Sequence, residues 1–312
     1  MREAYWLASQ FFQDYSHTCS RHDFTLPQLF ACLVVREMLK LSYRKTEALL
    51  SDSMAWLADI GMSKAPDHNT LWHAFDRLVE VRQVNQMLDL LVELFAGARL
   101  LGLSIKPLSI DSTCYEVRHR SRHYDRACRK MQLGEGEKYA EKRRKTKREV
   151  NLARSRKVRA MPKLALAVSA ACHVIMAARV HTGNGSDQPD FQPLLRCARK
   201  RANVRVRVVV ADAGYDSEKN HRVAREQMKV RSIIPASIGR PTSKPPTTRY
   251  RRLMRQRFAR KADRRHYGQR AQSETVNSMM KRNFGDALRS VAPQRREKEM
   301  LLRVLTHNIM LR

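Results

Sequence analysis

The stretch from Leu164 to Val180 is the most apolar part of the chain, and its burial limits the folds that the chain can adopt. It is short for a membrane span, and His173 and Arg179 interrupt it. Two strands of a hairpin, around Leu164–Ala170 and Val174–Val180, fit its length and composition better. The stretch therefore predicts a β-hairpin.

Two further strand-like runs lie outside this hairpin, and each leads into an aspartate. Leu108 and Ile110 precede Asp111, and the β-branched run Val204–Val210 precedes Asp212. The sequence therefore predicts two more strands, each with a carboxylate at its end.

A helix-like stretch near the C-terminus carries a polar stripe. Tyr267, Arg270, Glu274 and Lys281 stand at positions i, i+3, i+7 and i+14. On one continuous helix these positions fall within an arc of roughly 60°. Apolar residues project from the opposite side, which can pack against a core. Two interpretations remain open: the stripe faces a cleft, or it belongs to a surface helix with an Arg270–Glu274 ion pair worth a few tenths of a kcal/mol.

Two aspartates at strand ends and a glutamate on a helix form a pattern typical of a metal site. Mg²⁺ prefers carboxylate oxygens and keeps open positions for water and phosphate. Two such ions about 4 Å apart can serve the attacking and the leaving oxygen of a phosphodiester. The pattern predicts that Asp111, Asp212 and Glu274 hold two Mg²⁺ (or Mn²⁺) ions. Asp187 and Asp216 are nearby acids that we interpret as turn or capping residues.

The segments that carry these acids also resemble a known family. They are IDST around Asp111, ADAGYDS around Asp212, and Tyr-x2-Arg-x3-Glu-x6-Lys from Tyr267 to Lys281. Segments and order are similar to the catalytic segments of bacterial DDE-type insertion-sequence transposases, above all insertion sequence families four and five. The resemblance extends from about Leu26 to the C-terminus. The interval between Asp212 and Glu274 is too short for the large β-rich insertion of many family-four members, which favours family five.

The resemblance implies a ribonuclease-H-like fold, and the order of predicted segments accommodates it as a mixed α/β layout. After the hairpin we predict, in chain order, the helix Asp190–Arg201, the strand with Asp212, the helix Asp216–Met228, the strand Ser232–Pro235 and the Glu274 helix. We expect a helical N-terminal domain over residues 1–104 and a ribonuclease-H-like catalytic domain over 105–312, with a basic insert at 117–160.

The resemblance also implies an activity and roles for the stripe. The chain would nick DNA at the ends of its element and join the freed 3′-hydroxyl to target DNA, with Asp111, Asp212 and Glu274 as catalytic metal ligands. Arg270 and Lys281 would hold phosphates near the scissile bond, and Tyr267 would lie beside them. Two alternatives remain: a metal-dependent nuclease that does not join strands, and a transposon-derived DNA-binding protein that no longer cuts.

The first hundred residues read as short helices. We predict Leu26–Leu41, Tyr43–Leu50, Ser51–Ile60 with Gly61 as its C-cap, and a helix capped by Asn69 or Thr70 that runs through Leu78. Short helices joined by a glycine turn suggest a helix-turn-helix-like bundle that binds the element's ends. An ordinary helical cap on the catalytic domain is the alternative.

Charge and cysteine usage limit the partners and the compartment. The 312 residues hold 61 Lys and Arg against 30 Asp and Glu, a formal net charge of +31, which indicates a polyanion such as double-stranded DNA. There is no lipid-anchor motif, spanning segment or signal peptide, so we expect no membrane partner and a cytoplasmic, nucleoid-associated protein. The six scattered cysteines predict reduced thiols, and the group His17, Cys19 and His22 is interpreted as loop residues. By resemblance, we expect a homodimer or higher oligomer on DNA.

The charge generates a first prediction: non-specific DNA affinity should fall steeply with salt, because each neutralised phosphate contributes a slope of about −0.9 in log K against log salt. Deleting about Arg143 to Arg159, within the basic insert, should flatten that slope in a binding titration at several salt concentrations. An unchanged slope would place the phosphate contacts elsewhere.

Overall fold

The computed structural model describes residues 1–17, 19, 21–98, 104–105, 107–117, 161–201, 205–236 and 245–312. Residues 118–160, which hold all but the first position of the predicted basic insert, lie outside the described residues. The insert and its deletion therefore stay predictions.

The described strands pair into one central sheet and two small ladders. They are β1 (Ser104–Ile105), β2 (Leu108–Cys114), β3 (Glu116–Val117), β4 (Lys163–Ser169), β5 (Ile175–His181), β6 (Arg205–Val206), β7 (Val208–Ala211), β8 (Arg231–Ile233) and β9 (Ala287–Leu288). The central sheet has the order β5-β4-β2-β7-β8. Its first three strands are antiparallel neighbours, and β2, β7 and β8 run parallel. This mixed sheet confirms the predicted ribonuclease-H-like α/β fold.

The predicted hairpin is confirmed as β4 and β5, and its apolar character has a clear cause. All seven residues of β4 are buried. Leu164, Leu166 and Val168 belong to the hydrophobic cluster on one face of the sheet, whereas Ala165 and Ala167 belong to the cluster on the other. Because side chains alternate along a strand, a strand covered on both faces is apolar throughout.

Helices cover both faces of the sheet. They are α1 (Arg2–Ser9), α2 (Leu26–Met38), α3 (Tyr43–Asp52), α4 (Met54–Ala58), α5 (His68–Leu78), α6 (Val81–Gly97), α7 (Gln188–Arg201), α8 (Glu218–Arg222), α9 (Arg249–Ala259), α10 (Arg264–Gly268), α11 (Ala271–Phe284) and α12 (Pro293–Met310). One hydrophobic cluster joins α1 to α6 with α11, α12 and one face of β4. The other joins α7 to the opposite face. The helical N-terminal part thus shares a core with the C-terminal helices, and the proposed domain boundary stays a prediction.

Several element boundaries differ from those that the sequence predicts. Asp67, rather than Asn69 or Thr70, caps α5, since its Oδ1 accepts hydrogen bonds from the backbone N–H groups of both residues, at 2.8 and 3.0 Å. Ser53 separates α3 from α4 within the predicted Ser51–Ile60 helix. Gly61 has φ +69°, which lies in the left-handed backbone region that commonly ends an α-helix.

The C-terminal half shows similar shifts. The run Val204–Val210 divides into β6, which pairs with β1, and β7, which joins the central sheet. The predicted Asp216–Met228 helix starts at Glu218 with Ser217 as its cap, and ends in the π-helical turn Val223–Gln227. Within the described residues, no helix combines the length and the hydropathy that a membrane crossing requires.

A buried ion network ties α2 to α12. The Arg303 guanidinium is fully buried; its Nε donates to Glu37 Oε1 at 2.9 Å and its Nη2 to Glu299 Oε1 at 2.8 Å. Arg289 also pairs with Glu37, and its backbone N–H donates to Glu299 at 3.0 Å. Burial disfavours the charged form of Arg303, but the two carboxylates outweigh burial and raise its pKa.

Replacing Arg303 by methionine should therefore destabilise the protein strongly, because it leaves two buried carboxylates without their main partner. We expect a loss of about 3–5 kcal/mol in the free energy of unfolding, measured by urea denaturation. The control is Arg2→Met, which removes an ion pair with Asp59 at the surface and should leave the unfolding curve nearly unchanged. Equal midpoints for the two variants would contradict a stabilising role for the network.

Candidate active site

The parallel pairing of β2 with β7 brings the two predicted aspartates together. Ile110 pairs with Ala211 in this ladder, so Asp111 and Asp212 follow at the same level of two adjacent strands. The sequence suggested that Asp111 lies at the end of its strand, and the structure corrects this prediction. Asp111 lies inside β2, because β4 continues to pair with that strand through Cys114 after β7 has stopped.

Helix α11 lies across β2 on the face from which Asp111 projects. Ser109 Oγ donates to Ser273 Oγ at 2.8 Å, and Asn277 Nδ2 donates to Asp111 Oδ2 at 3.1 Å. Positions i and i+2 of the strand thus meet positions i and i+4 of the helix, which matches the periodicity of both elements. Glu274, one residue after Ser273, is close enough for its charge to raise the pKa of Asp111.

Electrostatics set these two aspartates apart from the other acids. Burial raises the pKa of Asp111 to about 6, and the charges of Asp212 and Glu274 add to the increase. Burial also raises the pKa of Asp212, although the Gly214 N–H donates to its Oδ1 at 2.9 Å. Among the described residues, no Lys or Arg side chain forms an ion pair with either carboxylate. Two neighbouring carboxylates without a paired cation favour a bound metal ion.

The Glu274 carboxylate is paired with Arg270 in this structure. The Arg270 Nη2 to Glu274 Oε1 distance is 2.6 Å, and the Glu274 side chain is 54% exposed. The ion pair expected for an ordinary surface helix is therefore present, and the charges of both partners act on Asp111. Within the described part of the chain, no three His, Cys, Asp or Glu side chains stand close enough together to hold a metal ion in this conformation.

The polar stripe is not carried by one continuous helix, which corrects the sequence prediction. Tyr267 belongs to α10, and α11 begins at Ala271. The backbone N–H of Arg270 donates to the carbonyl of Tyr267, an i to i+3 bond that tightens the chain after Gly268. Arg270 still lies 5.9 Å from the Tyr267 ring centroid. At the other end, Lys281 lies 5.7 Å from the ring centroid of Tyr115.

Asp187 lies against this site, although we predicted only a turn or capping role for it. Its Oδ1 accepts hydrogen bonds from Ser112 Oγ at 2.7 Å and from Lys163 Nζ at 3.2 Å. A Cβ added to Gly214 would lie 3.1 Å from both Asp187 Oδ2 and Asp212 Oδ1. An acid just before an amphipathic helix is also the signal for a cap, so the sequence could not distinguish the two roles.

Asp216 and the His17 group lie apart from the site. Asp216 ends the turn Ala213–Tyr215, in line with the predicted turn or capping role, and its buried carboxylate also accepts from Arg251 Nε at 2.7 Å. His17 Nδ1 accepts from the backbone N–H of Cys19, and the His22 ring stacks on Tyr15 with centroids 4.0 Å apart. These are contacts within a loop.

The arrangement fits a divalent cation in its donor chemistry and its space. Asp111, Asp212 and Glu274 supply carboxylate oxygens, which Mg²⁺ and Mn²⁺ prefer. Gly214 leaves room between Asp212 Oδ1 and Asp187 Oδ2 that a Cβ would fill. A bound cation would also offset the repulsion from Asp212 and Glu274, which adds to the effect of burial in raising the pKa of Asp111.

Two family models match the chain. The model described as "Transposase DDE domain" matches residues 103–309, and the one described as "Transposase domain (DUF772)" matches residues 3–77. No curated protein and no solved structure matches the chain. The first model covers well over half of the sequence and contains all three predicted acids. The chain therefore belongs to the DDE transposases, enzymes that act on DNA by divalent-metal-dependent phosphoryl transfer.

Proposed function

We propose that this transposase nicks DNA at the ends of its element and joins the freed 3′-hydroxyl to target DNA. The observation that carries the proposal is the β2–β7 register, which places Asp111 beside Asp212, while α11 brings the charge of Glu274 close to Asp111. We further propose insertion sequence family five, recognition of the terminal inverted repeats, and assembly as a homodimer or higher oligomer on nucleoid DNA in the cytoplasm.

Asp111, Asp212 and Glu274 are proposed to hold two Mg²⁺ (or Mn²⁺) ions. When bound, such ions activate the attacking oxygen and stabilise the leaving oxygen of a phosphodiester. Glu274 would have to leave Arg270 to do so. That step is small in energy, because a half-exposed ion pair is worth at most about 1 kcal/mol. The exchange also frees Arg270 for a DNA phosphate.

The stripe provides the proposed DNA contacts. Lys281 and Arg282 line an open groove of about 530 Å³ that also contacts Asn277, the residue bound to Asp111. A phosphate in this groove would lie next to the catalytic carboxylates. Arg270 and Tyr267 lie together at the other end of α11. The N-terminal helices are proposed to bind the element's ends.

Two alternatives use the same site: a nuclease that cuts without joining, and a DNA-binding protein that no longer cuts. One reaction separates all three. Uncut DNA that contains an element end is labelled on the strand whose 3′-hydroxyl the nick would free, and it is incubated with a target plasmid and Mg²⁺. Joined product supports the proposal, cut but unjoined DNA supports the nuclease, and bound but intact DNA supports the third candidate.

Asp111→Asn should abolish cleavage and yet stabilise the metal-free protein. The amide removes a metal ligand but also a charge whose pKa is raised to about 6, mainly by burial. An acid with a raised pKa in the folded state destabilises the fold as pH rises from about 4 to above 6, so its removal should add roughly 1–3 kcal/mol at pH 7.5. Melting in chelator and cleavage in Mg²⁺ measure the two effects. Near wild-type cleavage would remove Asp111 from the site.

Replacing the acid Glu274 and replacing the base Lys281, both on α11, should impair different steps. Lys281→Ala should weaken binding to end DNA and reduce its salt dependence, whereas Glu274→Gln should abolish cleavage without weakening binding, because it removes a negative charge near DNA. The matched control is Lys200→Ala. Lys200 is an exposed lysine of α7, on the other face of the sheet. If Lys281→Ala and Lys200→Ala bind end DNA equally well, the groove is not a phosphate site.

A further inference from the structure

We propose that Asp187 is a further carboxylate of the metal site, acting on the cation at Asp212, and that the buried Lys163 positions it. This inference rests on the proposed function, because it needs the metal ions that Asp111, Asp212 and Glu274 are proposed to hold.

Lys163 fixes the segment that carries Asp187. Only 1% of its side chain is exposed, and its Nζ lies 2.9 Å from Asp190 Oδ2 and 3.2 Å from Asp187 Oδ1. It also donates to the backbone carbonyl of Ser186 at 3.0 Å. A buried ammonium with several acceptors has little freedom to move. The chain just before α7 is therefore tied to the sheet at the start of β4.

The two oxygens of Asp187 have different surroundings. Oδ1 accepts from Ser112 Oγ at 2.7 Å and from Lys163. Oδ2 faces Gly214: a Cβ there would lie 3.1 Å from Oδ2 and equally far from Asp212 Oδ1. Among the described residues, no donor reaches Oδ2 within hydrogen-bond distance. Asp187 thus presents one unbonded carboxylate oxygen to the same small space as Asp212.

The charges around Asp187 point to a cation. Burial is the largest cause of the raised pKa of Asp212, and the negative charge of Asp187 is the second largest contribution that raises it. Lys163 offsets this charge only in part, because the same ammonium also serves Asp190. The Asp187 side chain is 26% exposed, so ions from solvent can reach it. A divalent cation held at Asp212 relieves the repulsion, and Asp187 Oδ2 binds it directly or through one of its water molecules.

The ordinary explanation is that Asp187 serves only as a counter-ion for Lys163. Asp190 fills that role more fully, because it is buried and also contacts Arg179 and His181 on β5. Asp190 therefore provides the matched control. Replacing it removes the same charge from the same lysine but leaves the oxygen beside Gly214 in place.

The test is the affinity of the full chain for Mn²⁺, measured by titration calorimetry at pH 7.5 without DNA. Asp187→Asn should weaken binding by about 10-fold to 100-fold, as the loss of a supporting ligand does at other metal sites. Asp190→Asn should weaken it much less. Equal losses in the two variants, or unchanged affinity in Asp187→Asn, would overturn the inference. Melting in chelator confirms that each variant is folded.

Gly214→Ala provides a second variant that keeps every charge. The backbone of Gly214 is not in the left-handed region, so alanine introduces no backbone strain, but its Cβ meets both carboxylate oxygens at 3.1 Å. We expect Mn²⁺ affinity to fall here too. Unchanged affinity would show that the cation does not use the space between Asp187 and Asp212.

Asp212→Asn separates this inference from the proposed function. If Asp212→Asn loses Mn²⁺ binding while Asp187→Asn and Gly214→Ala retain it, the proposed metal site stands and Asp187 has no part in it. If Asp212→Asn binds Mn²⁺ as the wild type does, the proposed metal site itself is wrong, and the inference fails with it.

Discussion

The parallel pairing of β2 with β7 is the constraint on which the rest of the site depends. The register Ile110 to Ala211 decides that two acids a hundred residues apart in the chain become neighbours. A slip of one residue would turn one of them to the opposite face of the sheet. The register is held by burial on both faces of the sheet, and α11, which bonds to Ser109 and Asp111 at once, fixes the position of β2 beneath it.

The protein uses its few acids in two distinct ways. Five acids are fully buried among the described residues, and each has an Arg or Lys partner. They are Glu37, Asp190, Asp216, Asp263 and Glu299. Asp111 and Asp212 are half-buried and lack such a partner among the same residues. The structural acids thus neutralise internal arginines and a lysine, whereas the site acids have no ion-pair partner among the described residues, and the proposed divalent cation would supply one.

The sequence predicted what depends on local pattern and missed what depends on tertiary contacts. The β4–β5 hairpin follows from its apolar length, and the two aspartates follow from the strand-like runs before them. The break between α10 and α11 was missed, because the spacing of Tyr267 and Arg270 suits a straight helix and the turn after Gly268 changes it only locally. Asp187 could not be assigned, because its partner Lys163 is distant in sequence and looks like an ordinary strand residue.

The most direct test of the central claim, that Asp111, Asp212 and Glu274 surround the divalent ions, is to locate those ions in the protein. Fe²⁺ can replace Mg²⁺, and with ascorbate and peroxide it generates hydroxyl radicals that cleave the polypeptide close to the bound metal. Mass spectrometry of the fragments should show cuts near Asp111, Asp212 and Glu274, and excess Mg²⁺ should suppress all of them together. Cuts at other positions, or cuts near the three acids that Mg²⁺ does not suppress, would contradict the account.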